Sequence, residues 1–204
     1  MKKALLVLAL SVAVGAKPDP YLIVPGKGFG PFGPSMTLAE LEKKMEPGDY
    51  LEGESLGHPS AEIYAMDPFV RITLLLNHQR QIRSMFVSGY MGKWHTAEGI
   101  RLGTTLVTLE RLNGRAFRFH SLSEKPDACQ VFDWQGGRLA RALPKVRITF
   151  ASAMHSEGYG GLSATERRQV ERGGAVLTSS DPVVRRLNPI VEFIELLFRD
   201  GREL

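Results

Sequence analysis

The sequence predicts an α+β fold: two tandem α-β-β-β repeats with an antiparallel sheet, helices on one face and a long insertion in the second repeat. Three observations carry this. A helix start, Thr37-Leu38-Ala39-Glu40-Leu41-Glu42, recurs in weakened form as Thr105-Leu106-Val107-Thr108-Leu109-Glu110. At the same spacing, Ile63-Tyr64 falls on Val131-Phe132. Further on, Val70-Arg71-Ile72-Thr73 returns letter for letter as Val146-Arg147-Ile148-Thr149, the second copy carrying extra residues around Gly136 to Pro144. A duplication of this kind describes architecture and brings no reaction with it.

The elements follow in order. Residues 1–16 read as a signal peptide: Lys2-Lys3, an apolar run from Ala4, and a small-residue ending at Val14-Gly15-Ala16. That run is short of the roughly 20 apolar residues a membrane helix needs. Residues 17–36 form a Pro/Gly-rich leading segment, with Tyr21 to Val24 laid against a sheet. The first repeat spans 37–92. Thr37 and Glu40 make a capping box, Leu38, Leu41 and Met45 share a helix face, and Pro47-Gly48 stops the helix. Strands are predicted over Glu62 to Met66, Val70 to Leu76 and Gln81 to Ser88, with Asn77 to Arg80 as the turn between the last two. Residues 89–99 read as a linker.

The second repeat, 93–204, repeats the order. Leu106, Leu109 and Leu112 give the helix stripe and Asn113-Gly114 its stop. Phe117 and Phe119 suggest a short strand, and Gln130 to Trp134 the next. Phe132 and Trp134 are expected to face inward, with Asp133 on the exposed side. The segment Arg138 to Leu143 is an extra element, Lys145 to Ala151 a strand, and Ile190 to Phe198 the last strand. Between these two lies the insertion, 152–188. It carries a second capping box, Ser163 with Glu166, and a Ser180-Asp181-Pro182 helix start. A connection this long is either functional or a flap over a sheet edge.

Composition excludes several classes. Without Lys2 and Lys3 the chain holds 24 basic against 22 acidic side chains, too even for a nucleic-acid binder. The single Cys129 cannot form an internal disulfide and reads as a small buried hydrophobe. His58, His78, His95, His120 and His155 show no metal-ligand spacing, so no metal and no cofactor are expected. Gly28-Phe29-Gly30-Pro31-Phe32-Gly33 matches a dinucleotide fingerprint in letters, but Pro31 and Pro34 bar the helix that chemistry requires. No G-x-S-x-G elbow occurs. The binding candidates are Tyr64, Trp94, His95 and Trp134, as aromatic or titratable positions on strands and in the linker, and Arg167 and Arg168 in the insertion. If the chain is instead a hydrolase, His95, His120 and Asp133 are its candidate residues.

The paired helix starts at 36–42 and 104–110 resemble those of the β-lactamase inhibitor protein family and of the SmpA/BamE type of small outer-membrane assembly lipoprotein. A closer resemblance is to a family of uncharacterised exported bacterial proteins. It runs through Gly99-Ile100-Arg101-Leu102-Gly103-Thr104-Thr105-Leu106, Leu109-Glu110, Leu112-Asn113-Gly114, Phe117, Trp134, Gly136-Gly137, Leu139 and Leu187-Asn188-Pro189. The chain differs from that pattern at Ser121 to Asp127, where a tryptophan- and glycine-rich stretch is usual. The resemblance implies a two-unit fold and export, with no assigned reaction. The function expected is a non-catalytic exported binding protein of the bacterial envelope, periplasmic or released, with a protein partner. The alternatives are an exported hydrolase and a structural component of an envelope complex.

Overall fold

The computed structural model describes residues 19–198, except 35, 44, 47–48, 56, 65–68, 78, 90–91 and 125–127. The signal-peptide reading and the Pro47-Gly48 stop fall outside the described residues. The fold is α+β, with five α-helices and three sheets that are mainly antiparallel. In chain order the elements are β1 Leu22–Val24, β2 Gly28–Phe29, α1 Leu38–Glu42, β3 Tyr50–Ser55, β4 His58–Ile63, β5 Val70–Leu76, β6 Ile82–Gly89 and β7 His95–Thr96. Then come α2 Leu106–Asn113, β8 Arg118–His120, β9 Val131–Asp133, α3 Arg138–Ala142, β10 Val146–Phe150, α4 Ala164–Glu171, β11 Val176–Thr178, α5 Pro182–Leu187 and β12 Val191–Leu197. Two 3-10 turns, Ala153–His155 and Glu157–Gly161, precede α4.

The main sheet has six antiparallel strands in the order β10-β12-β6-β5-β4-β3. Its inward face carries Ile72, Leu74, Met85, Val87, Ile148, Ile194 and Leu196. These join Leu38 and Leu41 of α1, Leu106 and Leu109 of α2, and Val184 and Leu187 of α5 in one continuous core. The strict alternation in Val70 to Leu76 made β5 predictable, and α1, α2, α4 and α5 start at the Thr37, Thr105, Ser163 and Asp181 caps.

Several expectations need correction. The first half supplies four strands to the sheet and the second half two, not three each. The strand expected at Glu62 to Met66 runs instead over His58–Ile63 and is preceded by β3, which was not foreseen. β3 is an edge strand with its middle residues exposed, so it shows no apolar alternation. Pro59 is tolerated in β4 because pairing with β5 begins only at Ser60, so its missing amide costs no bond there. The linker contains β7, which pairs in parallel with β1. Phe132 faces outward, 48% exposed, and stacks on the His120 ring at 4.6 Å. The phase of β9 is therefore the reverse of that expected: Val131 is buried, and Asp133 shares its side of the strand.

The glycine-rich leading segment is packed, not free. Phe29, Phe32 and Trp94 are buried together, and the amides of Phe29 and Phe32 each donate to the other's carbonyl. At Gly28 (φ 136°) an added Cβ would lie 1.8 Å from the Phe32 carbonyl oxygen, and at Gly30 (φ 51°) 2.0 Å from that of Pro20. These glycines close a tight loop against a tryptophan.

Asn113, read in sequence as a helix stop, does more than end α2. It is buried, its Nδ2 donates to the Arg115 and Trp134 carbonyls at 2.9 and 3.0 Å, and its Oδ1 accepts from the Leu139 amide at 3.2 Å. Gly137 has no side chain because a Cβ there would strike Asn113 Oδ1 at 2.1 Å. Asn113→Ala leaves three backbone groups without these partners and is expected to cost about 2–4 kcal/mol. Urea denaturation measures this, and a loss below about 1 kcal/mol would show that water replaces the amide.

The insertion is part of the core. β11 pairs with β8 to give the small sheet β11-β8-β9, and Ala153, Leu162, Val170, Leu177, Val184 and Leu187 are buried. It does cover the edge of β8, as a flap would, but it is built into the fold. No helix among the described residues is long and apolar enough to cross a membrane.

Candidate functional site

The second face of the main sheet carries a groove. Register places Arg71 (β5), Ser88 (β6), Phe193 (β12) and Thr149 (β10) side by side across four strands, with Thr73, Phe86, Glu195 and Arg147 forming the next row. The first row floors two hollows that share Arg71, Glu192 and Phe193, with volumes of about 490 and 540 Å³. Either is large enough for a drug-sized ligand. One hollow reaches Tyr64, Phe69 and Gly89. The other is walled by Ser123, Glu124, Cys129, Gln130, Ser152 and His155.

Backbone geometry aims two of these groups. Phe150 pairs with Val191 and Thr149 with Phe193, so Glu192 is the extra residue of a β-bulge. A bulge bends the strand and redirects its side chain. Cys129 is a non-glycine residue at φ 65°, a conformation that costs about 1 kcal/mol or more. It turns the chain so that its carbonyl accepts from the Phe150 amide at 3.0 Å and Gln130 bridges Thr149 along the outer edge of β10.

Electrostatics divide the charges into paired and unpaired. Arg71 lies 3.5 Å from Glu62, and Arg147 lies 3.3 Å from Glu195. Glu192, half-buried, makes no hydrogen bond or ion pair with the described residues, and burial raises its carboxyl above the ordinary range while nearby His155 opposes that shift. The Cys129 thiol is pushed up to about 12, first by burial and second by Glu192. Both causes favour the thiol over the thiolate, the nucleophilic form. Ser152 Oγ lies 3.4 Å from His155 Nδ1, a loose contact that leaves the hydroxyl unactivated. The hydroxyls of Ser88 (5% exposed) and Thr73 (0%) have no hydrogen-bond partner among the described residues. Buried polar atoms are almost always paired, so Ser88, on the groove floor, marks a place where an occupant would satisfy it.

The structure scatters most of the residues singled out in the sequence. Tyr64 lines the groove, its hydroxyl donating to Glu62 at 2.5 Å. Trp94 fills the core, edge-on to Tyr21 and Phe29. His95 is held by the Lys93 carbonyl at 2.9 Å and by Asp19 at 3.3 Å. Trp134 packs 5.3 Å from Phe117. Arg167 lies 4.5 Å over the Tyr159 ring, and Arg168 donates to Thr165 Oγ1 at 3.3 Å. Arg185 pairs with Glu110 and Arg186 with Glu166, so much of the insertion's charge is engaged internally. His95, His120 and Asp133 do not converge. His120 and Asp133 sit at opposite ends of the β8–β9 pair, and none of the three lines the groove. Among the described residues no group of His, Cys, Asp and Glu gathers to hold a metal ion.

Sequence reasoning missed Phe86, Ser88, Glu192 and Phe193. One signal was present: Ser84, Phe86 and Ser88 alternate small, large and small on one face of β6, which leaves hollows beside the aromatic ring. The bulge and the pairing of β6 with β12 have no local sequence sign. Comparison with protein-family models, with curated proteins and with solved structures found no match for the chain.

Proposed function

We propose that the protein is a non-catalytic exported binding protein of the bacterial envelope, and that it holds a protein partner in the groove on the second face of its main sheet. The observation that carries this reading is the unpartnered Ser88 hydroxyl beside the aromatic floor of Phe86 and Phe193. Buried hydrogen-bonding capacity next to apolar surface suits an occupant with both characters. Phe69, 72% exposed, and Tyr64 extend the apolar surface at one end. Export rests on the Lys2-Lys3 and apolar opening of the chain.

The tandem-repeat reading of the fold belongs to the same proposal. Its support is that β5 and β10, which carry the identical Val-Arg-Ile-Thr segments, each lie one strand out from the antiparallel pair β6–β12. That placement is what a pseudo-twofold relation between two copies requires. The resemblance to the β-lactamase inhibitor protein and to the SmpA/BamE type stands on the paired helix starts.

The test is crosslinked capture from the native envelope with the full chain and with Phe193→Glu, whose folding is checked by thermal melting. A charge on the groove floor should cost about 2 kcal/mol of binding, near thirtyfold in affinity. The partner should be lost while the melting temperature holds. Capture of the same partner by the folded variant would place recognition elsewhere.

A further inference from the structure

We infer that the groove takes an extended segment of a partner protein in which a lysine side chain stands between apolar ones, with its ammonium against Glu192. This rests on the reading of the groove as the recognition surface, and adds the chemistry of the occupant.

The dimensions come first. The floor row Arg71-Ser88-Phe193-Thr149 crosses four adjacent strands. Strands lie about 4.8 Å apart, so the row is about 14 Å long, which an extended chain covers in roughly four residues at ~3.3 Å each. The hollows at its two ends share Arg71, Glu192 and Phe193 as lining, so the acidic group borders both.

Charge selects the occupant. Arg71 is engaged by Glu62 and Glu195 by Arg147. What remains within the groove is Glu192 on its bulge, with Glu124 exposed and His155 at the covering wall. A half-buried carboxylate with no direct ion pair among the described residues has lost solvation with little recompense, and an arriving cation restores it. Lysine fits this setting because its apolar stem can lie along Phe193 while only the head reaches the carboxylate. Phe86, edge-on to Phe193 with ring centroids 6.1 Å apart, offers apolar area for a flanking side chain. The Ser88 hydroxyl is placed to bond the occupant's backbone.

The ionised form of Glu192 is the one that binds. Its raised pKa means that affinity falls as pH drops through its range, earlier than for an ordinary carboxylate. The ionisable groups sharing the groove are Cys129, His155 and Glu124 from the covering loops, Tyr64 at the far end, and Arg71 and Glu195 from the strands. Cys129, pushed up to about 12 by burial and Glu192, contributes no charge to the groove near neutral pH.

The experiment uses the full chain and three probes: the capped peptide acetyl-Gly-Phe-Lys-Phe-Gly-amide, the same peptide with Nε-acetyl-lysine, and hexylamine. Binding is followed by calorimetry and by the amide resonances of Ser88 and Phe193. The lysine peptide should bind about tenfold more tightly than its acetylated form, a difference near 1.4 kcal/mol. Glu192→Gln, nearly isosteric and free of any lost pairing, should remove that margin. Equal affinities of the two peptides, or a margin that survives Glu192→Gln, with groove resonances still moving, would overturn the ammonium assignment and leave the groove as a binding surface. Hexylamine binding as tightly as the peptide would overturn the protein segment in favour of a small amine. No movement of groove resonances with any probe would overturn both readings together.

Discussion

Replacing residues 152–188 by a short turn unfolds the protein. The segment looks removable in sequence because the corresponding connection in the first half is a tight turn at Asn77 to Arg80. In the structure it is not removable. β11 supplies the partner of β8 through Val176, Leu177 and Thr178, opposite His120, Phe119 and Arg118. The amides of Ser121, Leu122 and Ser179 bond to the carbonyls of Ala175, Val170 and Phe117. Val170, Leu177, Val184 and Leu187 are buried, each worth about 1.5–3 kcal/mol of burial. Four such losses come to about 6–12 kcal/mol, and with backbone groups orphaned on β8 they rival a typical stability of about 5–15 kcal/mol. Near-ultraviolet circular dichroism and a urea titration read the outcome. A deletion variant with native aromatic signal and a cooperative transition would mean that the rest of the chain folds alone.

Trp94→Ala is expected to be the most damaging single substitution among the candidate residues. Trp94 is 1% exposed and stands edge-on to Tyr21 at 5.5 Å and Phe29 at 5.9 Å. Its ring comes within 3.3 Å of where a Cβ on Gly30 would lie, so it also packs against the leading segment. Truncation removes the largest of the buried side chains that join the β1–β2–β7 sheet to the core, the others being Ile23, Phe29 and Phe32. The expected cost is about 3–5 kcal/mol, plus up to about 1 kcal/mol for each aromatic pair. Urea denaturation should show a shifted midpoint with the slope preserved. A shift below about 1 kcal/mol would mean that the leading segment contributes little to global stability.

The helices were legible in the sequence because their signals are local. Thr37 with Glu40 and Ser163 with Glu166 form the capping boxes that their spacing announces, and Asp181-Pro182 starts α5. β5 was legible because one face is apolar throughout. β3 was not, since an edge strand open to solvent has no burial pattern to write into its residues. Phe132 was assigned to the wrong side because two aromatics two residues apart normally share a buried face; the His120 ring, which accounts for an outward phenyl, comes from another strand. The groove was least legible of all. Arg71, Ser88, Phe193 and Thr149 come from four strands, and only register brings them into a row. A histidine beside a tryptophan drew attention to Trp94-His95, where the tryptophan packs the interior and the histidine ties down Asp19.

The antiparallel join of β6 to β12 has a consequence for biosynthesis. These strands meet at the middle of the sheet, yet they stand half the chain apart, and β12 ends within the last described residues. Contacts so distant in sequence form late and slowly. While β12 is still inside the ribosome, β6 has a bare hydrogen-bonding edge, and its core residues Met85 and Val87 lack Leu196 and Ile194 beside them. The nascent chain therefore cannot complete the main sheet before β12 is released. Until then the unpaired β6 edge is open to pairing with other chains, which makes the half-formed sheet the aggregation-prone stage of folding.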